Sequence, residues 1–126
     1  FLGGYMANTF KVITFAAEPA SAGSAYKMYT VAGSTTTVVL GLILTNIHST
    51  AVTVEVELVS DTGSRGGANN VTNGTAFLVK DVTIPAGSSL ELLSGGKVVL
   101  ETTDYLNIDC SVADKVSGTL SIMEIT

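Results

Sequence analysis

The 126-residue sequence contains no tryptophan, one cysteine and one histidine, and only 13% of its residues are charged. Because Cys110 stands alone, no disulfide can form within the chain. His48 has no second histidine with which to build a zinc site. The six basic residues lie far apart and are outnumbered by eleven acidic ones, which gives a net charge of −5. Nucleic-acid binding needs clustered lysine and arginine, so the sequence predicts no nucleic-acid partner.

Long apolar runs are missing as well. No run reaches the roughly 18–20 residues that span a bilayer, so the sequence predicts no membrane partner. Phe1–Tyr5 lack the charged segment that begins a secretory signal, and Met6 resembles a natural start. We predict that residues 1–8 form an N-terminal extension or arm. Residues 9–126 are expected to form one domain, which is long enough to bury a core.

The residues that dominate the sequence are threonine, valine, serine and glycine. β-Branched residues favour strands, and small or polar residues favour the tight turns between them. No segment has a helical period over ten residues, and eight or nine strand candidates follow one another at the spacing of a sandwich. The sequence therefore predicts an all-β fold, a single antiparallel β-sandwich or jelly roll of about eight strands. An immunoglobulin-like order of the strands stays open.

The central stretch is Val38–Ser60, in which two apolar runs are joined by a polar break, predicted as a hairpin, at Asn46–Thr50. The second run alternates, as a strand with one buried face does. The first run is apolar on both faces, and such a strand needs cover on both sides. Cover can come from within the subunit or from a second copy, and the sequence favours the second copy. The candidate assembly contacts are Val39, Ile43 and Ile47, together with Phe10 from the N-terminal segment.

Several local features are predicted from turn and strand patterns. Broken alternation indicates a bulge at Lys80–Asp81, and Pro85–Ser88 has the composition of a tight turn. Gly95–Lys97 is predicted as a hairpin turn between two short strands. The polar segment Asp61–Gly74 is predicted to cross between sheets or project outward. Cys110 lies in an alternating run and is predicted to be a small buried filler.

One short motif suggests an enzyme. Asp61-Thr62-Gly63-Ser64 matches the signature of aspartic proteases, which use two carboxylates that share a proton, so that this chain would have to dimerise. However, Arg65–Gly67 follows where that family has apolar residues. A glycine-rich surface loop explains the motif better. The chain is therefore predicted not to be an enzyme.

Other polar motifs also have simple explanations. Asn70-Val71-Thr72 and Asn73-Gly74-Thr75 fit the glycosylation pattern, but turn formation accounts for both. Asp104 with Asp109, or Glu55 with Glu57, could offer oxygen ligands to a hard cation, yet no loop concentrates several such ligands. We predict no catalytic residues, no cofactor and no metal site.

The order of several segments resembles small virion structural proteins of tailed bacteriophages, especially those of aquatic and cyanobacterial hosts. The segments that carry this resemblance are Tyr29–Leu42, Thr45-Asn46 with the alternating strand to Leu58, Phe77–Lys80, Ile84–Leu90, Lys97–Glu101 and Asp104–Leu106. The resemblance covers nearly the whole chain from Met6, and it consists of strand and turn patterns rather than catalytic signatures. It implies a non-enzymatic β-sandwich that is built into a particle, on the capsid surface or at the neck or tail.

The resulting hypothesis is a capsid decoration (cement) protein of the virion that stabilises the head by binding the lattice of the major capsid protein. The predicted partners are that protein or other virion proteins and further copies of the chain, with a trimer as one option. A neck or tail component is the first alternative. A carbohydrate-binding or adhesin module is the second, although the Asp61–Gly74 segment has no aromatic residue on which a sugar could stack.

Overall fold

The computed structural model describes residues 7–60, 74–93 and 95–126, which form nine strands in two antiparallel sheets. The strands are β1 Asn8–Glu18, β2 Tyr26–Thr30, β3 Thr36–Asn46, β4 Val52–Val59, β5 Thr75–Ile84, β6 Ser89–Leu92, β7 Val98–Leu100, β8 Tyr105–Cys110 and β9 Val116–Ile125. The first sheet has the order β1-β9-β3-β6, with β7 also on β3, and the second has the order β2-β8-β4-β5. The all-β sandwich is confirmed.

The pairing of the strands is nested. The first strand pairs with the last, β2 with β8, β3 with β6 and β7, and β4 with β5. β6 lies along Leu42–Thr45 and β7 along Thr37–Val39, so together they form one interrupted edge strand. The hairpin predicted at Gly95–Lys97 is therefore wrong. Counted this way there are eight strands, four to a sheet, and their nested order is that of a jelly roll.

β3 and β4 do not form the predicted hairpin, because they belong to different sheets. The side chain of Asn46 is buried at the corner between them, where Nδ2 donates to the carbonyl oxygens of Thr50 and Ile84, each at 2.9 Å. Asn46 Oδ1 accepts the backbone N–H of His48 at 2.7 Å. These three hydrogen bonds satisfy a buried polar side chain and direct the chain from one sheet into the other.

A β-bulge reverses the faces of β3 partway along the strand. Its register with β9 shifts between Val39 and Gly41, which adds a residue at Leu40. Because an added residue moves every following side chain to the other face, Val39 and Leu42 both point into the core. Val39 is only 1% exposed. The prediction that Val39 lies on the same outward face as Ile43 is wrong for this reason.

The bulge predicted in β5 is confirmed. The register between β4 and β5 shifts opposite Lys80 and Asp81, and Asp81 has a positive φ of 52°. The turn that follows is confirmed too, since the N–H of Ser88 donates to the carbonyl of Pro85 at 3.0 Å and Gly87 has a φ of +69°. A positive φ at that position is the conformation that favours glycine.

The predicted Asp61–Gly74 segment lies between β4 and β5. The N–H of Ser60 donates to the carbonyl of Gly74 at 2.7 Å, and the two strands pair within one sheet. The segment therefore connects neighbours, and a crossing between sheets is excluded. Residues 61–73 themselves lie outside the described residues. At the other end, Ala7 exchanges hydrogen bonds with Thr126, while residues 1–6, most of the predicted arm, also lie outside.

The core fills the space between the two sheets with alternating side chains from both inner faces, Cys110 among them as predicted. Phe15 packs in this core with its ring centre 5.2 Å from that of Tyr26. It pairs across the first sheet with Gly118. A Cβ at position 118 would place three carbons of the Phe15 ring within 2.9 Å of it. Glycine is therefore required at position 118 to admit the ring.

Candidate assembly surface

One residue from each of four neighbouring strands lies in a single line across the outer face of the first sheet. Phe10 is opposite Met123, Met123 is opposite Val38, and Val38 is opposite Val99. Phe10 and Val99, at the two ends, are 71% and 60% exposed. We call these four residues the apolar row. An apolar line that crosses the sheet from edge to edge is an unusual feature for a face directed at water.

Further exposed apolar side chains extend this face. Val12, which is 63% exposed, follows Phe10 on β1, and Ile43 lies on the same side of β3 after the bulge. Ile47 is exposed just beyond the end of β3, at the corner that Asn46 fixes. The structure thus leaves three of the predicted contacts, Phe10, Ile43 and Ile47, at the surface. Their part in assembly stays a prediction.

The sequence patterns missed Val99, Met123 and Val38 as members of this surface. Val99 lies in a strand of three residues, too short for alternation to be recognised, and Met123 lies where the pattern of β9 slips. Because of the bulge at Leu40, simple alternation along β3 assigns Val38 to the wrong face of the strand, as it does Val39. These residues are found only when the register of all four strands is known.

A hydrogen-bonded network lies on the inner side of the first sheet near the apolar row. Tyr29 of the second sheet donates from its hydroxyl to Glu124 Oε2 at 2.6 Å. Since the phenol has one hydrogen, the 2.7 Å bond to Thr37 is donated by the Thr37 hydroxyl. Lys11 Nζ lies 2.7 Å from Glu124 Oε1. The network links β1, β9 and β3 of the first sheet to β2 of the second sheet, and so it holds the edge strand β1 to both sheets.

The ionisation states in the network follow from these contacts. Burial, together with the bond to Glu124, raises the pKa of Tyr29 to about 12, so the phenol keeps the proton that it donates. The hydrogen bond from Lys11, followed by that from Tyr29, lowers the pKa of Glu124 below its usual range. Glu124 is therefore an anion that accepts on both oxygens, which favours charge-assisted and hence stronger hydrogen bonds.

The outer face of the second sheet has a shallow acidic groove of about 210 Å³ lined by Glu55, Asp81 and Asp109 among others. Asp109 Oδ1 already accepts the N–H of Gly23 at 3.1 Å, and Glu55 Oε1 is 2.9 Å from Lys80 Nζ. Within the described ranges, no group of three histidine, cysteine or acidic side chains could hold a metal ion. The absence of a metal site stays a prediction.

Two of the remaining chemical groups considered in the sequence, Asp104 and Cys110, lie in the described part of the chain. Asp104, weighed above as a cation ligand, is buried, and its Oδ2 accepts the N–H of Glu101 at 3.0 Å. The thiol of Cys110 is buried in the core. The protease-like motif Asp61–Ser64 and both glycosylation patterns, at Asn70 and Asn73, begin in residues outside the described part. Among the residues that are described, no helix is long and apolar enough to cross a bilayer.

Comparisons by sequence find no match, either among family models or among curated proteins. Comparison of structures finds distant likenesses. A chain from the T13 viral particle of infectious bursal disease virus is 12% identical with a TM-score of 0.51; the match covers 94% of this chain but 30% of that one. A chain from the virus-like particle of the extra small virus of the giant freshwater prawn Macrobrachium rosenbergii is 10% identical with a TM-score of 0.50, covering 99% and 80%.

A third similar structure comes from the endospore appendages of Bacillus, described as disulfide-linked pili. It is 17% identical and covers 96% of this chain and 88% of that chain, with a lower TM-score of 0.47. At such low identities, the two virus-particle chains demonstrate a shared fold and nothing finer. The present chain therefore has a sandwich fold that also occurs in proteins of viral particles. Its specific resemblance to virion proteins of tailed bacteriophages stays a prediction.

Proposed function

We propose that this chain is a structural protein of a virion, and more specifically a capsid decoration protein that binds the lattice of the major capsid protein. The observation that carries the proposal is the apolar row, from Phe10 to Val99, on the outer face of the first sheet. Support for the viral setting comes from the fold that the chain shares with the two virus-particle chains.

The energetics of the row favour a contact that is repeated many times. Fully burying a large apolar side chain contributes about 1.5–3 kcal/mol. The four residues of the row are already partly covered, so their burial against a partner contributes roughly 3–6 kcal/mol per copy. Association costs about 4–15 kcal/mol in lost freedom of motion. One copy alone would bind weakly, whereas linked copies on a lattice of repeated sites would bind tightly.

Imaging tests the proposal directly. An antibody raised against the chain would be used to label virus particles from the source of the sequence, followed by electron cryomicroscopy of the same particles. Decoration predicts many copies spread over the shell at symmetric positions. A single ring at one vertex would exclude decoration in favour of the neck or tail. Absence from the particle would overturn the virion assignment altogether.

Variants then test whether the row makes the contact. Phe10→Ser combined with Val99→Ser removes both exposed ends of the row, and we expect the chain to be lost from the particle. Phe77→Ser is the matched control, because Phe77 is also an exposed aromatic residue but lies on the edge strand β5 of the second sheet. Equal loss with the control, or no loss with the double variant, would contradict a contact through the row.

A further inference from the structure

The sheet edges of the described residues differ sharply in their capacity to accept another strand. β2 has five residues and a shift in register, and β5 is kinked by its bulge. The far edge of the first sheet is split between β6 and β7. β1 alone among them runs without a break in register, from Asn8 to Phe15, and it pairs on one side only, with β9.

The hydrogen bonds of Ala7 establish which backbone groups of β1 point away from the sheet. Ala7 and Thr126 exchange both of their N–H to carbonyl hydrogen bonds. In an antiparallel pair such residues alternate with residues whose N–H and carbonyl both point the other way. Asn8, Phe10, Val12 and Thr14 therefore direct their donors and acceptors at the open edge. This is the pattern that a further antiparallel strand requires.

The side chains and charges of β1 suit a second copy of the same chain. Phe10 and Val12, whose backbone groups point to the open edge, are also the exposed large apolar side chains of β1. From Asn8 to Ala17 the only charged residue is Lys11, and Glu124 neutralises it within the same subunit. In a chain with a net charge of −5, this edge is thus close to neutral. Two copies meet less repulsion here than on an acidic face.

We propose that two copies of the chain associate through β1 in antiparallel orientation about a twofold axis at Val12. Such a contact uses the same patch on both copies, as a twofold interface must. In this register Val12 lies opposite Val12 of the second copy, and Phe10 lies opposite Thr14 of the second copy. An axis at Lys11 would instead set two like charges directly opposite each other, which destabilises a strand pair.

The association joins the two first sheets into one continuous sheet and sets the two apolar rows on the same face. The pairing of two copies goes beyond the proposed function, because it would form in the same way whichever partner covers that face. Pairing would satisfy the exposed backbone groups of both edges and bring Phe10 within diagonal reach of Val12 of the second copy.

Sedimentation velocity on the purified chain is the first test. We expect the wild type to be a dimer and Val12→Lys, which opposes two lysines on the axis, to weaken the dimer at least about tenfold. Val99→Lys is the control, since Val99 is exposed to almost the same degree but lies at the far edge. A monomeric wild type, an unchanged Val12→Lys dimer, or equal loss with Val99→Lys would each overturn the proposal.

Cross-linking tests the register. A residue on the twofold axis faces itself at about 5.5 Å between Cα atoms, which is within the range of a disulfide. Val12→Cys should therefore give a covalent dimer under mild oxidation, whereas Thr14→Cys and the wild type, with its buried Cys110, should not. A covalent dimer with Thr14→Cys alone would refute this register. Circular dichroism confirms that each variant is folded. The particle labelling described above tests the proposed function separately.

Discussion

Gly118→Ala is the sharpest test of how the core is packed. An added methyl group would meet three carbons of the Phe15 ring within 2.9 Å, whereas carbon atoms pack at about 3.5–4.0 Å. To reach that separation at the nearest of these carbons, the ring would have to retreat by more than about 1 Å, into a core that is already filled. Overpacking of this kind costs about 1–3 kcal/mol, and complete loss of a phenylalanine from a core costs about 3–5 kcal/mol.

We therefore expect Gly118→Ala to lower the free energy of unfolding by about 2–4 kcal/mol, a large part of the 5–15 kcal/mol typical of a domain. Urea titration followed by circular dichroism measures the change, which should appear in the midpoint and not in the slope. Gly41→Ala is the control, because a Cβ at position 41 meets nothing within 4 Å. That variant should change the stability by less than about 1 kcal/mol.

A double-mutant cycle isolates the contact. Phe15→Ala removes the ring, so Gly118→Ala should cost much less in that background than in the wild type. The coupling energy should be about 2 kcal/mol, which is within the range measured for residues in contact. Two results would refute the reasoning: a change below about 1 kcal/mol for Gly118→Ala alone, or costs that simply add in the double variant.

Three further predictions concern the polar side chains of Asn46, Glu124 and Tyr29. Asn46→Leu leaves the carbonyls of Thr50 and Ile84 without their donor, so urea titration should show a loss of about 2–4 kcal/mol; a loss under 1 kcal/mol would contradict this. Because the pKa of Glu124 is lowered on folding, the stability that its carboxylate contributes is lost as the pH falls below about 4.3. The melting temperature of Glu124→Gln should therefore fall less steeply with decreasing pH than that of the wild type; an identical dependence would count against the network. Folding raises the pKa of Tyr29 to about 12, so stability should fall from about pH 10 upward. Tyr29→Phe should abolish that fall; an unchanged decrease in melting temperature at alkaline pH would disprove that Tyr29 causes it.

Local structure is largely predictable from this sequence. The alternation in β4, β8 and β9 identifies both the strands and their buried faces, because each of these strands has one face on the core. The proline and glycine of Pro85–Ser88 likewise predict the turn. These features depend on a few neighbouring residues, and so a short window of sequence is sufficient to predict them.

The pairing of the strands cannot be predicted in this way, because it is decided by contacts between residues that are distant in sequence. β3 and β4 are neighbours in sequence, yet Asn46 sends them into opposite sheets. One added residue at Leu40 decides that Val39 is core and Val38 is surface. The candidate surface is therefore predictable from the sequence only in part. Phe10 and Ile43 are recognisable as apolar residues, but the row that Phe10 forms with Met123 and Val99 depends on the register between four strands.

The split between β6 and β7 limits how far the sheet can be extended. A sheet with two regular edges can add copies at both, and such open-ended growth produces ribbons and fibres. Here the first sheet has one regular edge, β1, and one whose two short segments are separated by residues 93–97, with Leu93 at a φ of 66°. Growth through β1 is thus self-terminating: a pair of copies consumes both regular edges and leaves none for a third. The interruption between β6 and β7 would therefore keep a pair of subunits from extending into a filament through this sheet.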